Sequence, residues 1–486
     1  MGNENAFNQR IPDSASQFEK LLKAILGDSF DVIIDKFETE VKDVVIVYID
    51  GMVSRDLVDR DVIKPLKHKG YDGVLKRALY SSLEEVKDLK GVLDKVLEGN
   101  AVVMQDGEAV AYSLEFKQWD KRNVSEPDAE SVTRGPKEGF TENIQTNTSL
   151  LRRKLRTPNL VIEKMILGRQ TNTLIAIAYL KDIVNQDVLT RVKDKLNKID
   201  TDCILETGQI EEYIEDSPFS LVSGIGLTQK PDKTASKILE GRVALLCDGT
   251  PHALTIPELF IENVHTSEDY YERSIFSTLM RIIRLFALMI AILLPGMSVA
   301  VLTYNQEMLP FVFLNTYIAS TEKTPLPESA EIFFLIIMFE LIKEGSRRLP
   351  KTIGNAITFV GALIIGEAAV NAGIVGAPSV IIVALTAVAG LLIVNLNEFI
   401  SIYRMVFLIA GSTMGLVGIS SAIIIMLVHL ISIESFGVPI LSGFSKEELK
   451  DNVMRFPIKK LKFRPSSIAK NNVKRNNFET DGAKNA

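Results

Sequence analysis

The sequence predicts an α/β soluble N-terminal region of two subdomains followed by an α-helical polytopic membrane domain. Charge is dense from Met1 to about Arg273, where no apolar run is long enough to cross a bilayer, and nearly vanishes from Leu285 to Ser432. Helical and extended patterns alternate in the first stretch only. The averages, 47% hydrophobic residues and a formal net charge of -6 over 486 residues, conceal this division.

In the N-terminal half, "VVIVYI" (Val44 to Ile49) is a continuous apolar run closed by Asp50-Gly51, which predicts a buried strand and a turn. "YSSLEEVKDLKGVLDKVLEG" has helical spacing and stops at Gly99, and "AVVMQDGEAVAYSLEF" reads as two strands around Asp106-Gly107. Beyond a polar stretch from Asp120 to Asn147 the pattern repeats. Strands are predicted at Leu160 to Leu167 and Thr173 to Leu180, a helix around Gln186 to Ile199, and a strand, turn and return in "GRVALLCDGTPHALTIP". The expected domains are 1–119, 120–273, a membrane domain 274–436 and a basic tail 437–486.

The segment "EPDAESVTRGPKEGFTENIQTNTSLLRRKLRT" carries a basic cluster, Arg152, Arg153, Lys154 and Arg156, on a predicted helix. It reads as a solvated face, a subunit contact or an anion site; the spacing of a phosphate-wrapping loop is absent around Arg134 to Lys137. The subunit-contact candidates are Arg134, Lys137, Glu138, Phe140, Arg152 and Arg153. The two cysteines, Cys203 and Cys247, are expected to be reduced packing thiols. No HExxH, GxSxG or CxxC occurs, and His68, His252, His265 and His429 are scattered, so no catalytic, metal or cofactor site is expected. The first residues lack a secretory pattern, and Ala6 stands where a myristoylation start needs Ser or Thr, which leaves the N-terminal half on the cytoplasmic side.

In the membrane half, Leu285 to Gln306 is uncharged and long enough to span, with Pro295-Gly296 expected to kink or break it, either as a bend or as a cavity wall. Leu309 to Ala319 and Ile332 to Ile342 are short, the latter holding Glu340. Ile353 to Val375, Ser379 to Asn397 and Met405 to Ile433 follow, for four to six spans in all. Small residues four apart, such as Gly411 and Gly415, predict close helix packing. Arg281 and Arg284 put the N-terminal half inside, the acidic connection from Glu307 to Glu331 outside, and Lys343 to Lys351 inside. The basic tail also argues for the inside, which five spans would not allow. Glu367 within an apolar run is costly unless neutral, paired or wet. It reads as a packing residue, part of an ion path, or part of a substrate site, with Asn371 one turn on along the same face and Asn355 and Gly361 on preceding turns. Ion-path candidates are Glu367, Asn371, Glu340, Pro295 and Gly296.

The ordered motifs "RGPKEGFTENIQTNTSLLRRKLRT", "SEDYYERS", "LLPGMSVAVLTYNQEMLP", "FELIKEGSRRLPKTIGNAITFVGALIIGEAAVNAGIV", "SFGVP" and "RFPIKKLKFRPSS" closely resemble the A subunits of GerA-type nutrient germinant receptors of bacterial endospores, from about Val44 to Pro465. The resemblance implies a multi-pass protein of the inner spore membrane with its N-terminal domain facing the core. It implies action with a transporter-like B subunit and a lipoprotein C subunit, nutrient bound by a partner, a homo-oligomeric nutrient-gated cation channel, contact with membrane lipid, and no nucleic acid. An accessory protein for ion and dipicolinate release shares much of the pattern, and a proton-coupled transporter component is the alternative class. The sequence departs from the family at Glu367, where the resemblance implies glutamine, and at "GVPILSGFSK", where it implies "GVPY" and prolines.

Overall fold

The computed structural model describes residues 10–38, 42–65, 83–117, 130, 132–322, 324–349, 360–361, 364–470 and 472–475. The 120–129 stretch, His68, Lys351 and Asn355 lie outside the described residues.

Two five-stranded antiparallel sheets form the N-terminal half. The first holds β1 (Val32–Phe37), β2 (Val44–Ile49), β3 (Leu83–Val86), β4 (Ala101–Gln105) and β5 (Ala111–Leu114) in the order β1-β2-β4-β5-β3. The second holds β6 (Leu160–Leu167), β7 (Thr173–Leu180), β8 (Gly226–Thr228), β9 (Val243–Cys247) and β10 (Ala253–Ile256) in the order β6-β7-β9-β10-β8. Each third strand thus sits at an edge, and one topology is used twice.

β2 is apolar throughout because both its faces are covered, which removes the alternation of a half-exposed strand. Val45, Val47 and Ile49 pack in one cluster with Phe18 and Leu22 of α1 (Ala15–Leu26) and Leu93 and Val96 of α2 (Leu89–Leu97); Val44, Ile46 and Tyr48 pack in another with Val58 and Val62. The expected helix from Tyr80 is shorter than its periodicity implied, because Leu83–Val86 pairs with β5 and the helix starts only at Leu89, after Asp88. Cross-strand pairing outweighs local propensity there.

The second sheet is covered on one side by α3 (Ile144–Lys154) and α6 (Pro231–Leu239), and on the other by α4 (Gln186–Asn197) and α5 (Thr207–Ile214). Asn143 caps α3 by accepting from the Gln145 and Thr146 amides, and Asn185 caps α4 through the Asp187 amide. Cys247 is buried in β9, whereas Cys203 is exposed in a loop and is not a packing thiol.

Arg152 corrects an expectation. Its side chain is 1% exposed and forks onto Asp31, Nε to Oδ2 at 2.8 Å and Nη2 to Oδ1 at 2.9 Å, while Nη1 donates to the Leu160 carbonyl at 2.9 Å. It therefore joins the two sheet units within one chain, beside the Phe30 amide bonded to the Ile162 carbonyl at 3.0 Å, and cannot meet another subunit. Arg152→Ala strands Asp31 in the interior and is expected to destabilise the chain by about 3–5 kcal/mol. Thermal unfolding of the full chain checks this, and an Asp31→Leu/Arg152→Met pair should recover much of the loss.

The C-terminal half is a bundle of α7 (Ser274–Tyr304), α8 (Phe311–Thr321), α9 (Glu328–Arg347), a helical segment 364–371, α10 (Ala377–Leu391) and α11 (Asn397–Ser432). Among the described residues two helical stretches, Ser274–Tyr304 and Val394–Ser432, are long and apolar enough to cross a membrane. α9 runs well beyond the short apolar stretch expected at Ile332 to Ile342, because its carboxylates are held by partners inside the bundle. The span expected at Ser379 to Asn397 ends as α-helix at Leu391.

α11 is not one straight helix. Gly415 has φ 61° and ψ -141°, and a Cβ at Gly418 would collide with the Ala410 carbonyl, which only a reversal of the chain allows. The first arm runs beside α7, with Arg404 at Ala291 and Gly411 at Gly296. At its far end the Tyr304 hydroxyl donates to the carbonyls of Ser412 (2.9 Å) and Thr413 (3.1 Å), which the reversal leaves without helical partners. The second arm then returns towards the α/β region.

Among the described residues the helical runs alternate in direction: α7 away from the α/β half, α9 back, 364–371 away, α10 back, and the two arms of α11 away and back. The chain after Ser432 lies on the second sheet unit. Phe436 is in its core, the Ser435 hydroxyl donates to the Gly224 carbonyl at 2.6 Å, and Asn185 Nδ2 donates to the Ile468 carbonyl at 2.9 Å. The tail therefore packs against the same sheet unit that the N-terminal half supplies.

Candidate functional site

Glu367 and Asn371 lie on the 364–371 segment, between Gly361, which faces Ile342, and Gly376, which faces Glu331 at the far end. Both are exposed and line an apolar groove of about 560 Å³ between α9 and α10, with Leu335, Phe339, Val380 and Ala384. Among the described residues Glu367 makes no hydrogen bond or ion pair.

Glu340 is placed differently. One of its oxygens accepts from Ser401 Oγ at 3.0 Å and faces Arg404 Nη1 at 3.4 Å; the other lies 3.6 Å from Lys343 Nζ. Arg404 is buried, and its Nε donates to the Ala291 carbonyl at 3.0 Å, so it ties α11 to both α7 and α9. Sequence reasoning missed Arg404 by starting the last span at Met405; its signal was a lone cation at the edge of an apolar run that also had to satisfy Glu340. It also read Glu331 only as part of an acidic connection on the outside. Glu331 is buried, accepting from the Gly376 amide (2.9 Å) and Ser379 Oγ (2.8 Å) at the N-terminus of α10, where a carboxylate is favoured.

Pro295 and Gly296 are buried, and α7 continues through them unbroken. A Cβ at Gly296 would overlap the Phe407 carbonyl, and one at Gly411 the Gly296 carbonyl. The two glycines let α7 and the first arm of α11 touch backbone to backbone, so within one chain this is a crossing point and not the wall of a cavity. Gly411→Val is expected to lower stability by about 1–3 kcal/mol or more, since neither carbonyl can move aside. Membrane abundance and the unfolding midpoint of the full chain report it.

Below the bundle, Asp269 of the "SEDYYERS" motif accepts from Arg281 Nε at 3.0 Å and from Arg284 Nη2 at 2.5 Å. Burial pushes the Asp269 carboxyl up, but Arg284 and Arg281 hold it below the usual carboxylate range. Arg281 also donates to the Asp451 carbonyl of the tail, and Tyr270 Oη lies 3.1 Å from Asp451 Oδ1. First helix, sheet unit and tail are thus joined at one buried ionic hub.

His265 Nε2 lies 2.6 Å from the Asn452 carbonyl. Burial, with Arg281 nearby, depresses its pKa to about 3. The neutral ring donates this bond. The stability it supplies is complete above the unfolded value near 6.5 and is lost as pH falls towards 3. His265→Gln, which keeps a donor without a titration, is expected to flatten the fall in melting temperature of the full chain between pH 7 and pH 5.

The remaining interface candidates scatter. Phe140 is buried in the core of the second sheet unit. Glu138 lies 3.1 Å from both Arg153 and Lys154. Burial raises its carboxyl, and Lys154 and Arg153 bring it below the usual range. Arg134 and Lys137 are exposed, and the Thr133 and Arg134 amides both donate to Glu268.

With this arrangement in view, the comparisons with known proteins decide the family. The profile of the Bacillus/Clostridium GerA spore germination proteins matches residues 20–467. The chain belongs to the GerA family. It is 39% identical over 467 residues to spore germination protein KA of Bacillus subtilis (strain 168), covering 92% of this chain and 85% of that protein. It is 35% identical over 460 residues to spore germination protein B1 of the same organism, covering 92% and 95%. An uncharacterized membrane protein of that organism, YfkQ, is 38% identical over 88% of this chain and 86% of its own length. The crystal structure of the N-terminal domain of the A subunit of the Bacillus megaterium spore germinant receptor GerK3 aligns with 52% of the chain and 98% of that domain, at 29% identity and a TM-score of 0.41. GerA membership supports a role in spore germination.

Proposed function

We propose that this GerA protein is the membrane subunit of a nutrient germinant receptor. It assembles with copies of itself, a transporter-like B subunit and a lipoprotein C subunit into a cation-conducting pore of the inner spore membrane. The observation that carries the reading is Glu367, a carboxylate on the exposed face of an otherwise apolar groove. Facing hydrocarbon, such a group costs about 2.5 kcal/mol or more, so it belongs against water or another subunit, and a water-lined path between copies supplies both.

Glu367 and Asn371 line the path in this reading. Glu340, paired with Arg404, helps hold the bundle together, and the Gly296–Gly411 crossing is where α7 and α11 shift between closed and open packing. Nutrient on a partner opens the path only if it binds one packing more tightly than the other. Charge reversal at the exposed Arg134 and Lys137 addresses contacts between N-terminal domains.

The test is current through bilayers holding the full chain with its B and C partners, before and after nutrient. A nutrient-dependent monovalent cation current is expected. A complex that contains a single copy of this chain, or one that stays silent while it triggers germination normally in spores, contradicts the pore.

A further inference from the structure

Most exposed large apolar side chains of the chain lie on the helical bundle, and one group continues past the start of the uncharged stretch at Leu285. Along α7, Met289, Phe286 and Ile283 are followed on the same side by Leu279 and Ile275, the last 86% exposed. The tail adds to this stripe: the Arg455 amide donates to Thr278 Oγ1 at 3.0 Å, and Met454 and Ile458, the latter 63% exposed, lie in that segment. Thr278 sits roughly 10 Å below Leu285 at about 1.5 Å per residue. At a tilt of about 20–40° that is a drop of about 8–10 Å, which puts Thr278 at the outer edge of the polar region, about 5–8 Å thick on each side of the hydrocarbon core, where lysine side chains reach the headgroups. Lys459 and Lys460 are exposed beside Ile458, and Lys462 is half-buried.

We infer that the 454–463 segment, with the base of α7, is a binding surface for anionic lipid headgroups. The inference rests on α7 crossing a bilayer. Aliphatic side chains with ammonium groups at their rim match the boundary between acyl chains and negative headgroups, where lysine stems lie along apolar surface and their heads meet phosphate. A protein partner fits less well, because the centres of protein–protein interfaces are depleted in lysine. The segment immediately follows Asp451 and Asn452, which hold Arg281 and His265, so lipid bound here braces the ionic hub.

The test is hydrogen exchange of the full chain in nanodiscs of phosphatidylcholine alone and of phosphatidylcholine with phosphatidylglycerol. Exchange across 454–463 should slow on the order of tenfold in the anionic discs. It should return to the neutral-disc rate at high salt, and in a Lys459→Glu/Lys460→Glu/Lys462→Glu variant. Equal rates in both discs would overturn the inference, as would protection that follows chain concentration instead of lipid charge, which would assign the patch to a second copy. Failure to enter discs of either composition would instead contradict the membrane-spanning reading.

Discussion

Glu367→Gln is expected to lower cation flux through assembled receptors by about tenfold, with normal membrane abundance. The substitution keeps size and polarity and removes one negative charge per subunit. At an effective dielectric of about 20 a carboxylate attracts a cation about 12 Å away by ~1.4 kcal/mol, and losing that is about tenfold in local occupancy. Glu367→Ala should do the same, and both variants should reject anions less well, because they share the missing charge. Single-channel conductance and reversal potential in a salt gradient are the readouts. Unchanged conductance and selectivity in both variants would make Glu367 a packing residue and remove the main support for the path described above.

A stability effect as large as that at Arg152 is expected at Asp269. Asp269→Ala leaves the guanidinium groups of Arg281 and Arg284 near one another without their shared carboxylate, and breaking such a buried group costs about 3–5 kcal/mol. The consequence should be local before it is global. The tail loses its anchor on α7 where Arg281 meets Asp451, so protease should cut between 440 and 475 in the variant while the first sheet unit stays intact. A variant that melts with the native chain and resists cleavage would show that the hub does not hold the tail.

Much of this organisation was legible in the sequence. The transition near Arg273 follows from charge density, since a region that meets lipid cannot carry it. β2, β4, β6, β7 and β9 are apolar enough to be read locally, and their turns at Gly51, Gly107 and Gly249 use left-handed backbone that glycine adopts freely. Glu367 stood out because carboxylates are rare in apolar runs. Less legible was β3, whose "LEEV" becomes a strand only by pairing with β5.

What the sequence determined by itself was therefore the division into an α/β half and an apolar helical half, the repetition within the first, and membership of the GerA family. Tertiary structure alone decided which charges are internal. Arg152 meets Asp31, Arg404 meets Glu340, and Glu331 caps α10, each across a separation that no local pattern encodes. It likewise decided that Met405 to Ile433 turns back at Gly415 and that the tail docks on the second sheet unit. Composition reports how readily a residue leaves water, which is a property of one side chain; the partner that makes burial of a charge tolerable is a property of two, and only the folded chain brings the two together.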